Sequence, residues 1–106
     1  MTKKLYKVFI PESVKTDLEH QVDYIANEQN SPSIALDWLD GLIEAINSLA
    51  EFPNRCAVAP ENYLVKKDSK IVFRHLIYKR TFRIIFYVTK SEVRILSVKH
   101  SAQFTF

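Results

Sequence analysis

Arg74, Arg83, Tyr87, Lys99, His100 and Glu61 are the side chains of this sequence whose types and positions invite chemistry. An arginine on a strand can hold a phosphate or pair with a carboxylate through its planar fork, or fold its stem over the sheet. Arg83 alternates with Phe82, Ile84 and Phe86, so it belongs to the opposite strand face, which Ile85 and Tyr87 share. His100 closes the last β-rich run, and imidazole ordinarily titrates near neutrality, which suits a histidine to acid or base work. Glu61 stands in the loop stretch Ala59-Pro60-Glu61-Asn62, and Lys66, Lys67 and Lys70 follow it; such loop charges either line a site or are simply solvated. His20 and His75 have no partner visible in the sequence. Cys56 is the one cysteine, too few for an internal disulfide, and no His or Asp follows at the spacing of a known thiol nucleophile. The three scattered histidines show no metal-ligand spacing, so no metal and no other cofactor is expected.

The net charge of +3 hides a division. Residues 1–62 hold five Lys/Arg against ten Asp/Glu, whereas residues 63–106 hold ten against two, so the halves stand at −5 and +8. The basic half, which carries most of the candidate residues, suggests an anionic partner, either nucleic acid or an acidic polypeptide. No apolar run approaches the ~20 residues that span a bilayer, and Lys7 interrupts any leader-like stretch at the start. A cytoplasmic protein without membrane contact is expected.

These residues need elements to position them. With 106 residues, 47% of them hydrophobic, the chain can bury one core, and residues 1–106 are expected to form a single domain. Residues 4–10 alternate as a half-buried strand that Pro11 ends. Val14, Leu18, Val22 and Ile25 then form one apolar stripe at helical spacing. Ser31 and Pro32 supply the N-cap and first turn of a second helix, with Ala35, Leu39, Leu42, Ile46 and Leu49 on its apolar face, widened by Trp38 and Ile43. Phe52-Pro53 closes it, and Gly41 within it suggests close packing of the two helices. Residues 54–68 have no sustained period and read as a long loop. Three β-rich runs follow, 71–78, 82–89 and 93–99, joined by connections of hairpin length. The predicted fold is α+β, in the order β-α-α-β-β-β, with a helical hairpin covering one face of a mainly antiparallel four-stranded sheet.

The residues at the joints of this order narrow the choice. Asp17-Leu18 with Asp23-Tyr24-Ile25-Ala26, then Leu49-Ala50-Glu51-Phe52-Pro53-Asn54, then Arg74-His75-Leu76, the run Phe82-Arg83-Ile84-Ile85-Phe86-Tyr87-Val88, and Val93-Arg94-Ile95-Leu96-Ser97-Val98-Lys99-His100 together resemble the ParE-like toxins of the ParE/RelE toxin–antitoxin superfamily, also called plasmid stabilisation proteins. The resemblance covers residues 6–100. Many ParE-like sequences place a basic pair after the final histidine; here Ser101-Ala102-Gln103 stands there, and Phe104 and Phe106 follow, either packing on the core or serving a partner contact.

The resemblance implies the toxin of a type II toxin–antitoxin system, neutralised by a ParD-like antitoxin, and leaves its activity open. A ParE-like chain is expected to poison DNA gyrase by surface binding, with no catalytic set of its own. A RelE-like chain binds the ribosome and cuts mRNA, and is then an endoribonuclease in which Arg83 stabilises the phosphate, His100 and Glu61 share the acid–base work, and the loop lysines line an RNA path. A third alternative is a non-toxic homologue that only binds antitoxin. On the ParE-like expectation Arg74, Arg83, Tyr87, Lys99 and His100 form the antitoxin- or target-binding set. The antitoxin's acidic residues then meet Arg74 and Arg83, and its apolar residues fill a groove beside the helices.

Overall fold

The computed structural model describes residues 4–100. Strand β1 (Lys7–Phe9) leads into α1 (Glu12–Glu28) and α2 (Pro32–Asn47), followed by β2 (Ala57–Val58), β3 (Phe73–Tyr78), β4 (Phe82–Val88) and β5 (Glu92–His100). Val14 and Leu18 are buried along α1, with Val22 and Ile25 half-buried below them. The helix ends where Asn30 turns left-handed at φ 50°, a conformation asparagine tolerates, and Ser31 N–H returns to the Ala26 carbonyl at 3.0 Å. Ser31 then caps α2, its hydroxyl accepting from Ile34 N–H at 3.4 Å, and Pro32 occupies the first turn.

Ala35, Trp38, Leu42 and Ile46 are the buried residues of α2, while Ile43 faces outward. The helix stops at Asn47 and tightens into a 3-10 turn, Ser48–Ala50, ahead of Phe52-Pro53. Phe52 is itself left-handed at φ 49°, a strained setting for a bulky side chain. Arg55 braces this corner, donating through Nη1 to the Glu51 and Phe52 carbonyls and through Nη2 to Ser48 Oγ. Gly41 makes room for the sheet and not, as its place in the sequence suggests, for the first helix. A Cβ there would lie 2.3 Å from the hydroxyl of Tyr78, which donates to the Trp38 carbonyl at 2.8 Å.

The sheet has five strands in the order β1-β5-β4-β3-β2, one more than expected. The extra strand lies in the segment assigned to a loop: Ala57 and Val58 pair antiparallel with His75 and Arg74, a stretch too short to leave a period in sequence. The edge strand β1 runs parallel to β5, and the remaining pairings are antiparallel. Phe82, Ile84 and Phe86 of β4 and Val93 and Ile95 of β5 meet the helices in one core. In β5 the register against β4 shifts after Ile95: Phe86 pairs with Ile95 but Ile85 with Ser97, leaving Leu96 as a bulged residue. Among the described residues no helix is long and apolar enough to cross a membrane.

Candidate functional site

The bulge decides which residues share a sheet face. Unbroken alternation from Val93 and Ile95 would carry Ser97 and Lys99 toward the helices. The extra residue instead sends Val98 and His100 to that side and turns Ser97 and Lys99 outward, where Lys99 pairs across from Arg83. The outer face therefore presents Ile77 and His75 from β3, Arg83 and Tyr87 from β4, and Lys99 and Arg94 from β5.

Glu61 closes over this face on a 3-10 turn, Pro60–Leu64. Arg83 offers it both ends of its fork: Nη1 donates to Oε1 at 3.1 Å, and Nη2 donates to Oε2. Lys99 Nζ stands 3.7 Å from Oε2. The pair is largely out of water, with Arg83 only 8% exposed and the Glu61 side chain 13%. Hydrogen bonding from Arg83 holds the Glu61 carboxyl below its usual range, against the opposing effect of burial. Arg83 Nη1 also lies 2.8 Å from His75 Nδ1. A guanidinium can only donate, so His75 accepts as the neutral tautomer that carries its proton on Nε2. Burial, and then the Arg83 charge, lower its pKa.

The structure thus brings Glu61, Arg83 and Lys99 together and adds His75, which sequence reasoning passed over. The usable signal was the short turn after Tyr78, which sets His75 diagonally across from Arg83. Tyr87 shares the face but stacks near Phe73, with ring centroids 6.3 Å apart. Arg94 lies over the Phe9 ring and donates to Glu92.

Arg74 and His100 lie elsewhere. Arg74 pairs with Phe86, on the helix side of β3, and donates to the Cys56 carbonyl at 2.7 Å. Because Arg74 and Arg83 point to opposite faces, no single groove takes both. His100 is also on the helix side, its ring set edge-on to Phe82 at 4.9 Å. It lines a cleft of about 380 Å³ with Tyr24, Ile34 and Trp38. Cys56 is buried, and burial raises its thiol pKa, the behaviour of a packed thiol rather than an activated one. Lys66, Lys67 and Lys70 are exposed beyond the Glu61 turn. The Phe104 and Phe106 tail lies outside the described residues.

The architecture of two helices on one side of this sheet is that of a known family. A family model described as "ParE toxin of type II toxin-antitoxin system, parDE" matches residues 8–103. The chain belongs to the ParE toxin family. Among solved structures, the ParE-family fold is shared with a chain of the chromosomal ParDE TA system from P. aeruginosa. The TM-score is 0.69 at 20% identity, over 92% of this chain and 97% of that one. No curated protein sequence matches the chain. ParE-family membership accounts for the α+β order and the helical hairpin.

Proposed function

We propose that this ParE-family toxin arrests growth by binding DNA gyrase through its surface, and that a ParD-like antitoxin holds it inactive. The observation that carries the reading is the separation of Arg83 from His100. Attack by a ribose 2′-hydroxyl needs base, acid and cations gathered round one phosphate. Here His100 lies on the helix side, while Arg83 lies on the outer face with its fork taken by Glu61. The basic outer face supports an acidic partner, and a cleft beside the helices, lined by Tyr24, Ile25, Ile34, Trp38 and Phe82, offers apolar seating for the same polypeptide.

Purified chain added to gyrase and relaxed plasmid is expected to suppress supercoiling, and added antitoxin to restore it. Normal supercoiling in the presence of a chain that still arrests growth in cells removes gyrase as the target, and no arrest at all leaves the non-toxic, antitoxin-binding reading. Since Arg74 and Lys99 sit on opposite faces, an antitoxin that wraps the domain is weakened by both Arg74→Glu and Lys99→Glu, measured by calorimetry; one insensitive to Arg74→Glu is confined to the outer face.

One observation favours a second reading, ribosome-dependent cleavage of mRNA: the convergence of a carboxylate, an imidazole and two cations in Glu61, His75, Arg83 and Lys99. Codon-phased cuts mapped by primer extension, and lost with Arg83→Ala, would put that reading first.

A further inference from the structure

Glu61 sits where a ligand would. Arg83 is fixed on the central strand β4, almost fully buried, and its fork is aimed so that it accepts any planar carboxylate in two-point contact. Lys99 completes the charge and His75 steadies the guanidinium from the side. The segment carrying Glu61 is held far less firmly. Residues Pro60–Leu64 include no buried side chain; Tyr63 is 81% exposed and Leu64 63%. Besides the Glu61 contacts, its clips to the sheet are Asn62 Oδ1 accepting from Phe73 N–H at 2.9 Å and Ala59 N–H donating to the Phe73 carbonyl at 2.8 Å. Ala59 anchors the start of the segment as a buried apolar side chain, and the turn beyond it, clipped by polar contacts, opens at lower free energy than the core it covers.

We propose that Glu61 is an internal stand-in for a partner's carboxylate: Arg83 and Lys99 form a built site for an acidic side chain, closed by the chain's own turn Pro60–Leu64 and opened when an acidic polypeptide takes Glu61's place. The inference deepens the antitoxin reading and rests on it. Two observations favour a polypeptide over nucleic acid. The resident occupant is already a carboxylate, and the rim beside it is apolar: Ile77, directly across from Arg83, is half exposed, and Phe73 and Tyr87 follow along the same face. A segment alternating acidic and apolar residues fits that rim. The exchange keeps the same ion pairs on both sides, so its free-energy cost is chiefly that of lifting the turn.

The test uses a fluorescein-labelled hexaglutamate peptide and anisotropy titrations of the wild-type chain, Glu61→Gln, and Glu61→Gln combined with Arg83→Gln. If the site is open about a hundredth of the time, removing the resident carboxylate tightens binding about a hundredfold. The gain should vanish in the double variant. Equal affinity of the wild type and Glu61→Gln, or a gain that survives Arg83→Gln, overturns the stand-in while leaving an acidic partner in place. Failure of every variant to bind the peptide removes both. Inorganic phosphate and a hexauridylate are titrated in parallel, and a gain confined to them overturns the polypeptide ligand in favour of a phosphodiester. Because Glu61→Gln strands a buried arginine, a second measurement uses the unaltered protein. Saturating hexaglutamate is expected to speed amide hydrogen exchange at residues 61–65 while β3 and β4 stay protected, and unchanged or slower exchange there overturns the proposal.

Discussion

Arg83 and Glu61 illustrate how unequal the two members of an ion pair can be. Arg83 is rooted in a central strand and meets water only when the turn above it lifts, whereas Glu61 rides on that surface turn and can swing into solvent by itself. Removing one member of a buried pair costs about 3–5 kcal/mol when the other stays buried. Glu61→Ala is therefore expected to lower stability by about 3 kcal/mol. Arg83→Met, which keeps the apolar stem, should cost clearly less because Glu61 can turn outward; urea denaturation of the two variants checks the order. His75 and Glu61 also set a pH dependence. His75 has its folded pKa lowered from 6.5, so below that value the unfolded chain takes up a proton that the folded chain resists, and stability falls. Glu61, likewise lowered, contributes stability above its unfolded value that is lost as pH drops through the folded one. Both act in the same direction, His75 first. The urea midpoint of the wild type is expected to fall as pH is lowered from 7 to about 5, and His75→Gln, which keeps an acceptor for Arg83, should be nearly flat across that window.

At the scale of elements, two joints carry most of the specificity. Gly41 lets α2 settle onto Tyr78 of β3. Gly41→Ala would gain about 1 kcal/mol of helix propensity on an isolated helix. Here the new methyl meets the Tyr78 hydroxyl, and overpacking of this kind costs about 1–3 kcal/mol. A net loss of stability is expected, with partial recovery when Tyr78→Phe is added, read from a double-mutant cycle of thermal midpoints. The turn between β3 and β4 holds Lys79 and Arg80 both left-handed, at φ 50° and 63°, where neither side chain is at ease. Lys79→Asn with Arg80→Gly, the residue types this backbone favours, is expected to gain about 1 kcal/mol and raise the melting temperature by about 4–8 °C. The capped start of α2, the stripes of both helices and the three long strands were all legible in the sequence, because each repeats its pattern over several turns or pleats. Strand β2 was not, since two residues set no period, and Gly41's neighbour was not, since a glycine marks a close approach without naming what approaches.

The whole molecule is polarised: the acidic half of the chain supplies both helices, and the basic half supplies β3, β4, β5 and their turns. Long-range attraction then acts mainly on the sheet side, where it speeds encounter more than it tightens the final complex. Arg94→Glu together with Lys99→Glu is expected to slow association with the proposed antitoxin about tenfold at low salt, with a smaller change in dissociation. The gap should close as ionic strength rises toward ~0.5 M. Stopped-flow association across a salt series checks it, and a rate that ignores salt would move the partner off the basic face.

What the sequence by itself determined is the set of elements and their order, the family to which those elements belong, and the concentration of positive charge in the strands that follow the loop. Periodicity carries this information because a helix or strand repeats its surface every 3.6 or 2 residues, whatever it packs against. Which candidates stand together was decided only by the tertiary structure. One bulged residue, Leu96, reverses the facing of everything after it in β5, joining Lys99 to Arg83 and parting His100 from both. A two-residue period carries no mark of where it slips; the slip is set by how β5 must bend to pair with β4 while keeping Ile95 and Val98 in contact with the core. The closing of Glu61 over Arg83 is likewise a contact between segments 22 residues apart, set by the fold that brings the turn across the sheet.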